Sequence, residues 1–147
     1  MGERLWKWAI GSRVDGPAAF VPLVIRLIAG LYVMGAGFGK FLNHAQEVRD
    51  FHGFGVPLPD LAVPLAGTIE VAGGLLVVIG LLTRPAALLV AANLLAALLT
   101  AGINVGGTFH LVVGPSLMLA MLVLVWTGAG AYSADGRLRK RRPDIRR

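Results

Sequence analysis

The 147-residue chain has no cysteine. This absence excludes a thiol–disulfide mechanism, an iron–sulfur cluster held by thiolates, and a lipid anchor attached to a cysteine. The three histidines show no metal-ligand spacing on a helix, so no metal site is predicted. A nucleotide-binding glycine motif is also missing, because the GAGFG segment at residues 35–39 lies inside an apolar run and follows no strand.

Charged residues are scarce as well. They make up 15% of the chain, whereas hydrophobic residues make up 56% and the mean hydropathy is +0.72. A soluble domain carries about 25% charged residues, so this composition indicates an integral membrane protein. At this length the chain is expected to form one domain.

Four apolar runs are present, each long enough to cross a bilayer. A helix rises about 1.5 Å per residue, so about 20 residues cross a hydrocarbon core of about 30 Å. The sequence therefore predicts an all-α, four-helix transmembrane bundle over residues 20–132, with helices at about 20–39, 61–82, 86–102 and 109–131. The predicted flanking segments are an interfacial segment at 1–19, an outer loop at 40–60 with a short helix near 43–51, and a basic tail at 133–147.

Basic residues are distributed unevenly between the two ends of these helices. Eleven of the 14 Lys and Arg residues lie on the side of the termini, seven of them within Arg137–Arg147. Lys40 and Arg49 lie on the other side, and Arg26 lies within a span. The positive-inside rule therefore predicts cytoplasmic termini and an outer 40–60 loop. Beside a membrane span, the basic tail is expected to lie on anionic lipid headgroups rather than to bind nucleic acid.

Glu70 is the one charged residue in the apolar stretch 61–82. A carboxylate at that depth is costly and faces protein or a water-filled pocket. Arg26 lies about 9 Å inside one boundary and Glu70 about 14 Å inside the other, so their heights differ by roughly 7 Å in a core about 30 Å thick. An Arg side chain spans that difference, and Asn93 has a similar height. We therefore predict a buried polar cluster in which Arg26 is the first partner of Glu70 and Asn93 the second.

This cluster has two interpretations. It is either a structural ion pair that fixes the order of the helices, or a catalytic site that handles protons or a quinone, with Glu70 and Arg26 as its charged groups. A second polar set lies near the predicted outer face, and Lys40 and His110 are its candidates for contact with a quinone headgroup. The same side chains are equally compatible with ordinary interfacial positions.

Small residues predict two close helix contacts. Gly35 and Gly39 form a G-x-x-x-G pair, which allows another helix to approach closely. Helical spacing also places Gly73 and Gly74 on the face of Glu70. Close packing is therefore expected on both faces.

The charged and glycine motifs follow one another in a recognisable order. Arg26 comes first, then G-x-x-K ending at Lys40, F-x-G-F-G-V-P at 51–57, E-x-x-G-G at 70–74 and G-L-L-T-R-P at 80–85. Over about residues 21–130 this order resembles the DoxX family of small bacterial four-helix membrane proteins. The positions that match the charged pattern of the family are Arg26, Lys40 and Glu70, whereas Asn93 and His110 are not matched to it.

The resemblance implies a compact bundle in the bacterial inner membrane and a link to redox chemistry. Relatives include the membrane subunit of a thiosulfate:quinone oxidoreductase and members that associate with partners in oxidative-stress complexes. Three functions are therefore open: a quinone-interacting subunit beside a partner oxidoreductase or respiratory complex, a structural accessory subunit of a larger membrane complex, and a small transporter. The transporter is disfavoured because such folds usually show repeats and broken helices.

Overall fold

The computed structural model describes residues 2–141, and that part of the chain is helical and contains no strand. The last residues of the predicted basic tail, 142–147, lie outside the described residues. This part of the chain forms seven α-helices: α1 Gly2–Ile10, α2 Phe20–Leu42, α3 His44–Gly53, α4 Pro59–Ile79, α5 Thr83–Ala97, α6 Gly114–Thr127 and α7 Ala134–Arg141. A 3-10 turn at Gly16–Ala19 leads into α2, and two π-helical segments, Leu98–Gly102 and Phe109–Val113, follow α5 and precede α6.

Between residues 2 and 141, four stretches are long and apolar enough to cross a membrane, namely Gly16–Leu42, Pro59–Ile79, Thr83–Gly102 and Phe109–Thr127. Their helices pack as a closed ring, with α2 against α4, α4 against α5, α5 against α6, and α6 back against α2. Apolar side chains fill the centre, among them Val33, Val77, Val90, Met121 and Leu124. The predicted all-α fold with four transmembrane helices is therefore confirmed.

Glycine allows α2 and α4 to approach closely, but the glycines differ from the predicted pair. A Cβ added at Gly37 would lie 2.9 Å from the Gly67 carbonyl oxygen, and one at Gly74 would lie 2.9 Å from the Gly30 carbonyl oxygen. The prediction for Gly35 and Gly39 was wrong, because a Cβ at either position would meet nothing within 4 Å. A G-x-x-x-G pair marks one face of a helix, and here the face that packs is the one carrying Gly30 and Gly37.

The turn between α4 and α5 is tighter than the sequence suggested. Gly80 ends α4 with a φ of 69°, so this span ends before residue 82. α5 begins at Thr83 instead of 86, because a side chain from α7 caps its first turn. Asp135 accepts hydrogen bonds from the backbone N–H of Leu82 (2.8 Å) and Thr83 (3.0 Å) and from the Thr83 hydroxyl (2.9 Å). Such a carboxylate satisfies N–H groups that a helix leaves unpaired at its start.

Both terminal helices lie at one end of the bundle, where α1 packs against α5 and α7. We call this the terminal end, and the end that carries α3 the loop end. α6 stops at Thr127 rather than 131, and the chain then folds back so that Ser133 and Asp135 are buried. The first residues of the predicted tail thus belong to the folded bundle. The cytoplasmic location of the terminal end remains a prediction.

Candidate functional site

Three polar side chains from three helices meet inside the bundle, toward the loop end. The Lys40 ammonium on α2 lies 2.8 Å from Glu70 Oε2 on α4, which is an ion-pair distance. From α5, Asn93 Nδ2 donates a hydrogen bond of 3.0 Å to Glu70 Oε1. Glu70 is only 6% exposed, and a charge buried to this extent needs such partners. The predicted contact between Glu70 and Asn93 is present, and Lys40 supplies the opposite charge.

The glycine contact between α2 and α4 explains why Lys40 reaches Glu70. A Cβ at Gly37 would lie 2.8 Å from Glu70 Cβ, so the backbone of α2 passes directly beside this side chain. Lys40 is three residues further along α2 and therefore stands one turn above Gly37 on the same face. From there its long side chain descends to the carboxylate. A larger residue at position 37 would separate the two helices at the level of the ion pair.

Arg26 does not join this cluster, and the prediction that it pairs with Glu70 was wrong. Its guanidinium is 1% exposed and lies toward the terminal end. There it donates four hydrogen bonds of 2.7–3.1 Å to the backbone carbonyls of Val77, Val78, Ala129 and Ala131.

The position of Arg26 has a physical reason. The last carbonyls of a helix lack the partners that a further turn would supply, and Val77 and Val78 belong to the last turn of α4, where the capping N–H of Gly80 also donates to Val77. Val77 is seven residues beyond Glu70, which amounts to about 10 Å along the helix axis. The carbonyls of Val77 and Val78 thus lie at the same height along the bundle as Arg26, whereas Glu70 lies further toward the loop end, where it forms its ion pair with Lys40. Gly80 completes this arrangement, because a Cβ there would lie 2.7 Å from Arg26 Cζ.

His110 lies near the same cluster at the start of the fourth span. Its Nδ1 is 3.0 Å from the Gly106 carbonyl oxygen. A carbonyl oxygen only accepts, so Nδ1 carries the hydrogen and Nε2 of the neutral ring is an acceptor. The rings of Phe54 and Phe109 each contact the imidazole edge-on, with centroids 5.2 Å away. Together these contacts fix the orientation of the imidazole.

A cavity of about 580 Å³ connects the two polar sets that the sequence analysis had kept apart. Its walls are mostly aliphatic and aromatic side chains from α2, α4, α5 and the start of the fourth span. The polar side chains that line it are Tyr32, Lys40, Glu47, Asp50, Glu70, Asn93, Thr100 and His110. Arg26 does not line the cavity, and neither do His44 and His52, the two exposed histidines of α3.

Irregular helices and the loop helix α3 form the remaining walls. Thr100 and His110 line the cavity from the two π-helical segments, and such segments occur frequently at functional sites. α3 contributes Glu47, Asp50 and Phe51, which the sequence analysis had not selected. The loop is attached to the bundle by a hydrogen bond of 2.8 Å from Asn104 Nδ2 to the Phe54 carbonyl oxygen. The polar loop is therefore part of the site.

Sequence reasoning missed the ion pair of Lys40 and Glu70. The sequence analysis placed Lys40 at the start of the outer loop, just beyond the first span, whereas α2 continues to Leu42 and keeps Lys40 inside the helix. The order of the motifs contained a usable signal, because Lys40 and Glu70 both belong to the charged pattern of the family it resembles.

Comparison with known proteins gives consistent results along the chain. The sequence profile of the DoxX family matches residues 21–103. The chain is 30% identical to the uncharacterized membrane protein Rv3486 of Mycobacterium tuberculosis, over 95% of this chain and 93% of that protein. It is 34% identical to the inner membrane protein YqjF of Escherichia coli, over 81% of this chain and 92% of that protein. It is also 31% identical to the inner membrane protein YphA of Escherichia coli, over 78% of this chain and 88% of that protein. No solved structure matches the chain significantly.

The matched region includes the three residues of the polar cluster and ends before His110. Both the profile and the long, nearly full-length alignments agree with the helical bundle and its four apolar spans. The chain therefore belongs to the DoxX family and is a multi-pass protein of the bacterial inner membrane.

Proposed function

We propose that the cavity binds the headgroup of a membrane quinone or quinol, and that the protein acts as a membrane subunit beside a partner oxidoreductase. One observation carries this proposal: a single, mostly apolar cavity brings together Lys40, Glu70, Asn93 and His110. The quinone-linked relatives implied by the family resemblance point to the same chemistry.

The size and lining of the cavity suit such a ligand. Small-molecule sites usually have about 300–1,000 Å³ and apolar walls with a few placed polar groups, and this cavity has about 580 Å³. Tyr32 and Leu65 line it and are 47% and 63% exposed on the lipid-facing surface of the bundle. The cavity wall thus reaches the surface that contacts acyl chains. A ring bound inside could therefore keep its apolar tail in the bilayer.

The polar groups can recognise both redox forms of the ring. A quinone presents carbonyl oxygens, and the ammonium of Lys40 and the amide N–H groups of Asn93 are donors for them. A quinol presents hydroxyl groups, and the Nε2 of His110 is an acceptor for one of these. Glu70 is held by its two partners at the inner part of the cavity. A neutral imidazole is the side chain best suited to accept a proton near pH 7.

Oxidation of a quinol releases electrons together with protons, so the proposal also requires an electron acceptor. The chain has no cysteine and no predicted metal-ligand spacing, and we therefore assign the acceptor to the partner oxidoreductase or respiratory complex. With the predicted topology, the cavity lies in the outer half of the membrane. The termini are then cytoplasmic, and the basic residues of α7 lie near anionic headgroups.

The test is a quinol-dependent electron-transfer assay on membranes that contain Lys40→Ala, Glu70→Gln or His110→Ala. Each variant is compared with wild type at equal protein abundance, and we expect at least one to lower the rate about tenfold or more, since a lost charge-assisted hydrogen bond costs about 1.5–3 kcal/mol. Binding of a photoreactive quinone to the purified variants separates loss of binding from loss of proton transfer.

Matched controls come from α3 at the same end of the bundle. His52→Ala and Arg49→Ala remove a histidine and a cation from exposed positions that do not line the cavity. We expect both to keep wild-type rates. Wild-type rates for Lys40→Ala, Glu70→Gln and His110→Ala alike would exclude the quinone site, and a structural accessory subunit would then be the better interpretation.

A further inference from the structure

The terminal end contains a second buried cation, far from the cavity. Arg84 is the second residue of α5 and is 4% exposed. Its Nη2 donates one long hydrogen bond of 3.2 Å to the Trp126 carbonyl oxygen. Its Nε is buried and has no acceptor among the described residues. Within residues 2–141 the only ion pair joins Lys40 to Glu70, so Arg84 has no carboxylate partner there.

The Asp135 carboxylate at this end makes its hydrogen bonds to groups other than Arg84. Asp135 accepts hydrogen bonds with both oxygens from the backbone and hydroxyl groups of Leu82 and Thr83. Asp135 offsets part of the Arg84 charge through space, but within residues 2–141 no carboxylate oxygen lies within 4 Å of the Arg84 guanidinium. A buried guanidinium donor without an acceptor is costly, so a ligand that brings acceptor oxygens would stabilise this position.

The helix that packs on α5 adds a second unpaired donor. α1 contacts α5, and the indole Nε1 of Trp6 on α1 is buried and has no acceptor within residues 2–141. The chain that leaves α1 passes beside the guanidinium, because a Cβ at Gly11 would lie 3.9 Å from Arg84 Nη1. Arg13 follows and places its guanidinium over the ring of Trp126, 5.6 Å from the centroid. The junction of α1 and α5 is therefore rich in donors and positive charge.

We propose that this junction binds the phosphate of a phospholipid headgroup, with Arg84 as the principal donor. A guanidinium presents a fork of N–H groups that matches phosphate oxygens, and a charge-assisted hydrogen bond of this kind is stronger than a neutral one. The junction lies at one end of the transmembrane bundle, next to the exposed rings of Trp8 and Trp126, and Trp is enriched at the level of lipid headgroups. An anionic lipid also neutralises the charge that Arg84 and Arg13 share.

The site is independent of the cavity, and the proposal does not rest on the quinone function. It also differs from the general attraction of the basic tail, because its principal donor is a buried residue at the start of α5. Neutralising exposed cations of α7, such as Arg137 and Lys140, should weaken general adsorption without removing the specific lipid.

The test measures lipid retention by the full-length protein in mild detergent. Native mass spectrometry counts bound phosphatidylglycerol, and the thermal midpoint of unfolding is followed as phosphatidylglycerol is added. Diacylglycerol with the same acyl chains lacks the phosphate, and inorganic phosphate lacks the acyl chains. We expect phosphatidylglycerol alone to remain bound and to raise the midpoint.

Variants assign the binding to the junction. Arg84→Met should weaken phosphatidylglycerol binding about tenfold or more, because it removes the charge-assisted hydrogen bonds. Trp6→Phe removes one N–H and keeps an aromatic ring, so we expect a smaller loss in the same direction. Should Arg84→Met fail to fold, Trp6→Phe together with Arg84→Lys, which keeps the charge and loses the fork, tests the same contact. Arg49→Met at the loop end is the matched control and should bind lipid like wild type.

Three results would overturn the proposal. Equal phosphatidylglycerol binding by wild type and by the Arg84 variants would show that Arg84 is not the donor. An equal effect of diacylglycerol or of inorganic phosphate would exclude a phospholipid as the specific ligand. Binding that arises only in Asp144→Asn would identify that carboxylate, which lies outside the described residues, as the natural partner of Arg84.

Discussion

The two ends of the bundle both bury ionisable side chains, but they satisfy them in different ways. At the terminal end, Arg26 donates four hydrogen bonds to backbone carbonyls and Asp135 accepts three at the start of α5. Toward the loop end, Lys40, Glu70 and Asn93 bind one another and line a cavity. Burial alone therefore does not distinguish a structural charge from a functional one.

The type of partner makes the distinction. Backbone carbonyls and N–H groups at helix ends are fixed by the fold, so a side chain that pairs with them holds segments together. Side-chain partners around a cavity can exchange their hydrogen bonds with a ligand. We therefore expect variants of Arg26 and Asp135 to change mainly stability and variants of the cavity residues to change binding. The following predictions test this comparison, beginning with the largest expected effect.

Arg26→Leu should cause the largest loss of stability. It leaves four carbonyls without their charged donor, and hydrogen bonds to charged groups contribute about 1.5–3 kcal/mol each, so we expect a loss of about 3 kcal/mol or more. The measurement is the free energy of unfolding by denaturant titration in detergent. Arg26→Lys should recover part of the loss. Normal stability combined with lost quinone binding would contradict the structural role assigned to Arg26.

Asp135→Ala should destabilise the protein by about 2 kcal/mol. The reason is the loss of a charged cap from the first turn of α5, and helix caps contribute about 0.5–2 kcal/mol. Asp15→Ala is the matched control, because Asp15 precedes a helical turn without making a side-chain cap hydrogen bond. Unfolding of both variants is compared in the same detergent. Equal losses for the two aspartates would contradict the assigned cap.

Gly37→Ala should destabilise the contact between α2 and α4, whereas Gly35→Ala should have almost no effect. A Cβ at Gly37 would lie 2.8 Å from Glu70 Cβ, and overpacking typically costs about 1–3 kcal/mol. A Cβ at Gly35 meets nothing within 4 Å. Measuring the free energy of unfolding of both variants under the same conditions shows which face of α2 packs against α4. A larger loss for Gly35→Ala would mean that the other face of α2 packs against a helix.

The smallest effect is a coupling energy. The double variant Lys40→Met/Glu70→Gln should lose less stability than the sum of the losses of the two single variants. The expected difference is about 0.5–3 kcal/mol, because the two groups form one ion pair. Arg26→Leu combined with Glu70→Gln should be additive, since these residues share no contact. Coupling between Arg26 and Glu70 together with additivity between Lys40 and Glu70 would instead support the pairing of Arg26 with Glu70.

The sequence by itself determined the number of spans, their apolar character and the presence of Arg26 and Glu70 inside them. These properties follow from local composition, because a lipid core accepts only apolar helices of sufficient length. Sequence spacing also indicated that Glu70 must have partners, since an isolated carboxylate at that depth is too costly. Asn93 was correctly selected by its estimated height in the membrane.

Only the tertiary structure decided which charge meets Glu70. Height estimates placed Arg26 within reach, but the direction in which an Arg side chain extends depends on the carbonyl acceptors around it, and these come from the end of α4 and from the chain beyond α6. Lys40 reaches Glu70 because Gly37 brings the two helices together. The cap of α5 by Asp135 and the cavity between α3 and the bundle likewise depend on contacts between segments far apart in the chain, which local patterns do not encode.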